Sequence, residues 1–352
     1  MQGGATVSAP GRWCEGSAYL SRAQWGAANR STPPVQALRA HAARSDLVIR
    51  LLRLILRADI RAIIVRQVSK NNDPSQRGRA MKSILLPVDQ SEQMPSALET
   101  SWLLASEFDA TVEGVAVRPA FAEIVAPDPI VAVTIPPADW NETDFIRGAR
   151  QAFDAFAAGH PAAQGSKARF RWRGGAAIED GALGSLARVY DITVLSRPGS
   201  RGARMTALEA ALFDSGRPVL MAPPRPPTTF GERVLIHWNA STETARAIRF
   251  ALPLLRKAKR VSFVAIEGHI VPGPSVKDAL GHLEANGIAA TEKTVTPARN
   301  RPGEAILAEA AAVHADLLIK GAYTQSRLRQ MIFGGATSHI LAAAELPVLF
   351  AH

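Results

Sequence analysis

The stretch that decides the fold is ADLLIKGAYTQSRLRQMIFGGATSHILAAAELPVLF, which runs from Ala315 to Phe350. An apolar run, a loop that bears glycines, a helical run and a second apolar run follow one another in it. This order predicts strand, loop, helix and strand, with Gly321 ending the first strand and Gly334 and Gly335 preceding the helix. Backbone N–H groups beside glycines and at a helix N-terminus bind anions. The stretch therefore predicts a nucleotide phosphate loop.

The positive charge of the chain lies almost entirely in its first 80 residues. The net charge is +10 over 352 residues. Residues 1–80 hold thirteen Lys and Arg against four Asp and Glu, a net +9, whereas the remainder holds 28 against 27, a net +1. Because a nucleic-acid-binding surface needs clustered positive charge, we expect no nucleic acid partner for the nearly neutral body of the chain.

Residues 46–68 stand out within this basic region. Leu and Ile fill the positions between arginines that fall on one helical face, from Arg50 to Arg61. The pattern is typical of a basic amphipathic helix on a membrane surface or a partner protein. The alternative, which we favour, is that residues 1–80 are a disordered extension or lie upstream of the true start, since MKSILLPVD from Met81 is how an α/β domain begins. A membrane partner is expected only if the 46–68 helix is genuine.

Cysteine, apolar and histidine content limit the class of protein. Cys14 is the only cysteine, so no disulfide forms within the chain. No apolar run reaches the roughly 18 residues needed to span a bilayer. The eight histidines show no close spacing of the kind that metal ligands have. We therefore expect a cytoplasmic protein without a metal centre.

Short apolar runs alternate with helical patterns through the rest of the chain. This alternation predicts the α/β class, with a parallel sheet that has helices on both faces. Two such domains are expected, over 81–222 and 232–352, joined by a stiff proline-rich linker over 223–231. Within the first domain, the proline-rich segment 118–139 predicts a surface excursion that is not a regular helix, and residues 177–189 predict a helix.

The two domains repeat one another in sequence. ILLPVDQSEQMPSALE (84–99) aligns without gaps with VLIHWNASTETARAIR (234–249), DITVLSRPG (191–199) with DLLIKGAYT (316–324), and RPVLMAP (217–223) with LPVLFAH (346–352). Internal self-similarity of this kind indicates two copies of one structural unit. Because two copies in one chain usually pack as a symmetric pair, we expect an intramolecular pseudo-dimer.

These features resemble the universal stress protein family in its tandem, two-domain form, over residues 81–352. The resemblance rests on VDQS from Val88 to Ser91, on the final strand–loop–helix–strand unit, and on the glycine spacing of nucleotide-binding members. It implies two tandem doubly wound domains, each a five-stranded parallel sheet of order 3-2-1-4-5. It also implies a stress-response role, ATP or another adenine nucleotide as ligand with any accompanying Mg²⁺ left open, and a possible homodimer through the last strand.

The family's nucleotide motif is Gly, two residues, Gly, nine residues, Gly, then Ser or Thr. In the second domain Gly321 and Gly334 keep their positions in this motif. Thr324 replaces the second glycine, and Gly335 stands where Ser or Thr is expected. Thr337 still offers a hydroxyl two residues later. The resemblance therefore implies that the second domain is the candidate nucleotide site.

Three further residues of the second domain belong to this candidate site. Asn239 replaces the Asp that follows the first strand in the family, and its amide both donates and accepts hydrogen bonds. Trp238 either stacks on a base or fills the pocket, and Arg327 either neutralises phosphates or lies in a solvated basic loop. The candidate binding residues are Trp238, Asn239, Gly321, Thr324, Arg327, Gly334, Gly335, Ala336 and Thr337.

The first domain retains the Asp but loses the glycines. Asp89 follows its first strand, and Ser196 and Gly199 take the first two motif positions. Residues 205–207 lie where the second domain has its glycine pair and the alanine that follows. We expect no tight nucleotide binding in the first domain.

The expected function is that of a universal stress protein that holds an adenine nucleotide and acts as a non-catalytic sensor or interaction protein. No catalytic residues are identified. One alternative is a weak ATP hydrolase in which Arg327 activates a phosphate. The other is a structural interaction module with no bound nucleotide.

Overall fold

The computed structural model describes residues 81–118, 121–127, 130–160, 167–198, 204–322 and 335–352. The predicted helix over 46–68, like the rest of residues 1–80, lies outside this part of the chain.

The described part of the first repeat begins with a buried apolar strand and continues with alternating strands and helices. Its strands are β1 Ser83–Val88, β2 Thr111–Arg118, β3 Ala122–Pro127, β4 Ile130–Ile135, β5 Arg169–Trp172, β6 Ile178–Glu179, β7 Ile192–Ser196 and β8 Val219–Ala222. Its helices are α1 Met94–Phe108, α2 Glu142–Gly159, α3 Leu183–Ala187 and α4 Met205–Asp214.

The second repeat has the simpler alternation that its sequence predicts. Its strands are β9 Arg233–Trp238, β10 Arg260–Ile266, β11 Thr291–Val295, β12 Leu317–Gly321 and β13 Val348–Ala351. Its helices are α5 Thr242–Leu255, α6 Val276–Ala285, α7 Pro302–Ala312 and α8 Ala336–Ala343. Ser241 caps α5, because its hydroxyl accepts a hydrogen bond from the Thr244 N–H.

Ten strands of the two repeats lie in one sheet of order β11-β10-β9-β12-β13-β8-β7-β1-β2-β5, while β6 pairs with β2 at its side and β3 and β4 form a separate two-stranded sheet. Each repeat contributes five strands in the order 3-2-1-4-5, parallel within the repeat, which confirms the predicted doubly wound fold. The last strands of the two repeats pair antiparallel, with Leu349 opposite Leu220. This pairing supports the intramolecular pseudo-dimer, which stays a prediction, as does the homodimer.

Side chains alternate between two apolar layers, one on each face of the sheet, as the period of two in a strand requires. In β1, Ile84 and Leu86 belong to one layer and Leu85 to the other. The first layer includes buried residues of α1, α2, α5 and α6, and the second includes buried residues of α3, α4, α7 and α8. Strands that are buried on both faces, such as β1 and β8, are therefore almost continuous apolar runs.

In each repeat, an aspartate just before the fourth strand accepts hydrogen bonds from the backbone at the start of the first strand. Asp191 Oδ2 accepts hydrogen bonds from the backbone N–H groups of Lys82 and Ser83, at 2.7 and 2.9 Å. Asp316 Oδ1 accepts from the Arg233 N–H at 2.8 Å, and its Oδ2 accepts from the Glu232 N–H at 3.3 Å. Each carboxylate satisfies backbone donors where the first strand begins, so the sequence repeat is also a repeat of hydrogen bonding.

Two segments of the first repeat have structure that the sequence did not predict. The proline-rich segment, predicted as a non-helical surface excursion, contains the antiparallel hairpin of β3 and β4, whose apolar, β-branched residues favour strand. The helix predicted over 177–189 is reduced to α3, preceded by β6 and a short 3₁₀ turn. This shortening has a tertiary cause, because Ile178 and Glu179 pair with the end of β2 instead of entering a helix.

Candidate functional site

The candidate site lies at the carboxyl ends of β9 and β12, which are neighbours in the sheet although they are not consecutive in sequence. Ile236 pairs with Ile319, and His237 pairs with Lys320. The strand order of the repeat reverses between these two strands, and ligands of doubly wound folds bind at such a switch point. The chain leaves the two strands at Asn239 and Ala322, beside the N-termini of α5 and α8.

Gly321, the first glycine of the motif, touches α5. A Cβ at this position would lie 2.5 Å from the backbone nitrogen of Thr244 and 2.7 Å from its hydroxyl oxygen. Only glycine lets the first turn of α5 approach the end of β12 this closely. The glycine therefore has a packing role that does not require a ligand.

Asn239 stabilises the turn between β9 and α5. Its Oδ1 accepts a hydrogen bond from the Thr244 hydroxyl at 2.6 Å and another from the Ser241 N–H at 3.3 Å. Asp89 has the corresponding place in the first repeat, where its Oδ1 accepts from the Ser91 N–H at 2.8 Å. The Asn therefore keeps the backbone contact of the Asp without its charge.

Trp238 is 5% exposed and packs against Phe263, with ring centroids 5.9 Å apart. Its indole nitrogen has no hydrogen-bond partner among the described residues. From the sequence, this ring either stacks on a base or fills the pocket. Burial at this level favours the second role, in which the ring fills the interior.

The N-terminus of α8 supplies the other side of the site. Gly335 is the N-cap of this helix, with φ −68° and ψ 162°, and Ala336 is the first helical residue. Thr337, in the first turn, is buried, and its hydroxyl lies 2.9 Å from the Lys320 Nζ. Thr324, Arg327 and Gly334 lie outside the described residues.

Lys320 is the residue that the sequence reasoning missed. It is 4% exposed, and its ammonium group donates to the Gly321 carbonyl at 2.7 Å and to Thr337. The signal was available in the repeat, because Lys320 aligns with Leu195 of the first domain. A lysine in a buried strand position is rare unless its charge has a partner or a function.

The electrostatics of this region follow from burial. Desolvation lowers the pKa of Lys320 to about 8, although the negative charge of Glu243 acts in the opposite direction. Desolvation also lowers the pKa of His237 well below its usual value, and the positive charges of Lys320 and His269 add to this effect. Neither ring nitrogen of His237 has a hydrogen-bond partner in the described part of the chain. At neutral pH the pair is therefore a charged lysine beside an uncharged imidazole.

The described residues also form a cavity away from the switch point. A cavity of about 630 Å³ lies at the opposite edge of the second repeat, where Arg233, Asp316 and Pro347 mark the starts of strands, and the 223–231 linker lines it in part. It is not at the switch point, so we do not assign the nucleotide to it. In the ranges that the structure describes, no group of three His, Cys, Asp or Glu side chains is arranged to hold a metal ion. None of the described helices is long and apolar enough to cross a membrane.

Comparison with known proteins supports the sequence-based assignment. Residues 275–352 match the model of the universal stress protein family. A universal stress protein structure from Archaeoglobus fulgidus is 16% identical, with a TM-score of 0.59, and covers 76% of this chain and 95% of its own. A putative universal stress protein from Pseudomonas aeruginosa is 13% identical, with a TM-score of 0.46, and covers 78% of this chain and 94% of its own.

A further solved structure is a universal stress protein in complex with cAMP, 19% identical, with a TM-score of 0.27, covering 34% of this chain and 97% of that protein. A search of curated proteins finds no sequence that matches the chain. The resemblance to the universal stress protein family is confirmed, by sequence over residues 275–352 and by fold over a length that exceeds either repeat alone. A tandem, two-domain form of the family fits this coverage, because 76% of the chain is longer than one repeat.

Proposed function

We propose that this protein binds an adenine nucleotide, such as ATP, at the carboxyl edge of its second repeat, and acts as a non-catalytic universal stress protein through contacts with other proteins. One observation carries the proposal. A buried lysine ammonium and the first turn of α8 meet at the switch point between β9 and β12, with the Lys320 Nζ 2.9 Å from the Thr337 hydroxyl.

The physical argument concerns the phosphates. The N-terminus of a helix offers unpaired N–H groups and the positive end of the helix dipole, both of which favour an anion. Gly335 has no side chain to cover these N–H groups or to cap them. Lys320 adds a positive charge in a region of low dielectric, where it acts more strongly than on the surface. On the adenosine side, Asn239 follows β9 at the same edge, and we expect the ribose or base to contact this residue beside its hydrogen bonds within the turn.

Calorimetric titration with ATP, ADP and AMP tests the proposal. Gly335→Glu places a carboxylate at the expected phosphate position, and Lys320→Leu removes the charge and restores the residue of the first repeat. Each change is expected to weaken binding at least about tenfold, or roughly 1.4 kcal/mol. The matched control is Lys293→Leu, which removes a lysine that is ion-paired with Glu309 at 2.7 Å in the same repeat. Equal affinity in all variants, or no binding by the wild type, would contradict the proposal.

A structural interaction module without nucleotide is the second candidate. The tight packing of Gly321 on Thr244 and the burial of Trp238 favour it, because both features account for motif residues without a ligand. Mass spectrometry of an acid extract of the purified protein separates the two candidates. A stoichiometric adenine nucleotide supports the first, and an empty extract together with a flat titration supports the second.

The non-catalytic role has its own measurement. Release of inorganic phosphate from ATP is followed in the same preparations, with Arg327→Ala as the variant. Phosphate release by the wild type that is lost in Arg327→Ala would replace the proposed role with weak ATP hydrolysis.

A further inference from the structure

The carboxyl edge of the first repeat has a different arrangement, centred on the side chain of Arg204. Its Nε and one terminal nitrogen lie 2.7 and 2.6 Å from Asp89 Oδ2. Its other terminal nitrogen lies 2.7 Å from Asp180 Oδ1. The terminal nitrogen that contacts Asp89 also donates a hydrogen bond to the Val117 carbonyl at 2.9 Å. The guanidinium thus joins the end of β1, the end of β2 and the turn after β6.

This arrangement crosses the position where a ligand would lie. Arg204 is the N-cap of α4, the helix between β7 and β8, and its contacts extend past β1 to the carboxyl end of β2. It therefore spans the switch point between β7 and β1, where doubly wound folds bind their ligands. The Arg204 side chain is 14% exposed, and those of Asp89 and Asp180 are 9% and 5% exposed. The three side chains form a closed, largely desolvated cluster.

We propose that the carboxyl edge of the first repeat is a guanidinium-binding site that the chain fills with its own Arg204. The chemistry of the donors fits this ligand class. A planar guanidinium donates in several fixed directions at once, and here it meets two carboxylates and a carbonyl. A compact ammonium ion has no such fork and matches these three acceptors less well.

The second repeat supports this assignment by contrast. At the N-cap of its last helix it has Gly335 in place of Arg204, and after its first strand it has Asn239 in place of Asp89. The arginine and the acid that binds it are therefore absent together. Because Arg204 fills the site of the first repeat, that repeat has no place for a nucleotide, and the chain would bind at most one nucleotide. This consequence rests on the proposed function, whereas the guanidinium site does not.

Chemical rescue tests the site without any nucleotide. Arg204→Ala leaves two buried carboxylates without their main partner, and we expect a fall in melting temperature of about 10 °C. Methylguanidinium at millimolar concentration should restore part of that loss, and methylammonium at the same concentration should restore much less. Neither cation should raise the melting temperature of the wild type, because its site is occupied.

Two controls define the outcome. Arg188→Ala removes an arginine whose Nε donates to the Asp214 carbonyl at the surface, and neither cation should alter its melting temperature selectively. In Arg204→Ala combined with Asp89→Asn, the rescue should disappear. If Arg204→Ala does not fold, Arg204→Gly takes its place, because the φ of 67° at this position suits glycine, and the same preference for methylguanidinium is expected. An unchanged melting temperature in Arg204→Ala, or equal rescue by both cations, would overturn the proposal.

Nucleotide stoichiometry then tests the consequence separately. Rescue by methylguanidinium together with no nucleotide binding would keep the guanidinium site and contradict the proposed function. Binding of two nucleotides by the wild-type chain would overturn the filled first repeat.

Discussion

Lys320 Nζ lies 2.9 Å from Thr337 Oγ1 and 2.7 Å from the Gly321 carbonyl oxygen, so one buried ammonium joins the end of β12 to the first turn of α8. These two points are the anchors of the glycine-bearing loop. The hydrogen bonds are obtained at the cost of burying a charge.

The first prediction concerns the stability of Lys320→Leu. A pKa of about 8 in the folded state, against 10.5 in the unfolded state, means that burial of the charge opposes folding at neutral pH. The shift corresponds to about 3 kcal/mol, from which the two lost hydrogen bonds subtract about 1 kcal/mol each. We therefore expect Lys320→Leu to unfold in urea with a free energy about 1 kcal/mol higher than the wild type at pH 7, while binding nucleotide more weakly.

The pH dependence of this difference fixes its cause. Between pH 8 and 10.5 the unfolded lysine is protonated and the folded one is not, so the contribution of this group to wild-type stability rises with pH. The excess in free energy of unfolding of Lys320→Leu over the wild type should therefore shrink between pH 8 and 10.5 and remain constant below pH 8. An advantage that does not change with pH would show that packing, not charge, is responsible.

The second prediction concerns Gly321→Ala. A Cβ 2.5 Å from the Thr244 nitrogen forces the first turn of α5 away from β12, and overpacking of this kind costs about 1–3 kcal/mol. Gly281→Ala is the matched control, because it lies within α6 and a Cβ there meets nothing within 4 Å. The control should gain about 0.5–1 kcal/mol in urea unfolding, since alanine is the better helix former. Equal effects of the two changes would contradict the packing role of Gly321.

The third prediction concerns the repeated aspartates. Asp191→Ala and Asp316→Ala each leave two backbone N–H groups without their carboxylate, so each should cost about 1–3 kcal/mol in the free energy of unfolding. Asp154→Ala, which removes an exposed carboxylate paired with Arg150 at 3.2 Å, should cost less than about 1 kcal/mol. A large loss in one repeat and none in the other would show that the two contacts are not equivalent.

The fourth prediction concerns Tyr190. Burial, followed by a 2.8 Å hydrogen bond to Glu113, raises the pKa of Tyr190 to about 12. Glu113 is also hydrogen-bonded by Arg171 and Arg173. Ultraviolet titration should therefore show one of the three tyrosines ionising near pH 12, and Tyr190→Phe should remove that step.

The linked effect on stability has a definite sign. Between pH 10 and 12 the unfolded tyrosine loses its proton and the folded one keeps it, so the contribution of Tyr190 is complete below pH 10 and is lost as pH rises toward 12. Tyr190→Phe should lack this decline. If all three tyrosines titrate near pH 10, the contact with Glu113 is not made in solution.

The sequence predicted the larger part of the fold because its signals are local. Apolar runs and the aligned repeat predicted ten of the strands, and the resemblance to the universal stress protein family implied their order in each half of the sheet. The hairpin of β3 and β4 was missed, because its prolines excluded helix without indicating strand pairing. Helix α3 was overestimated, because the pairing of Ile178 and Glu179 with β2 depends on residues distant in sequence.

The candidate site was predicted only in outline. Gly321, Gly335, Ala336 and Thr337 lie at the carboxyl edge as the repeat predicted, beside Trp238 and Asn239. Lys320 was missed because a single charged residue in an apolar strand does not show where its side chain ends. The choice between two roles for Trp238 required its burial, which the pattern of the strand does not reveal.

The sequence by itself determined that two copies of one α/β unit follow one another, and where in each copy the phosphate loop would lie. The tertiary structure alone decided what occupies those two places. Arg204 and Asp89 are 115 positions apart, and Lys320 and Thr337 are 17 apart. Such contacts depend on how strands and helices are set beside one another in space. A strand or a helix can be inferred from its own residues, but the partner of a buried charge depends on residues distant in sequence.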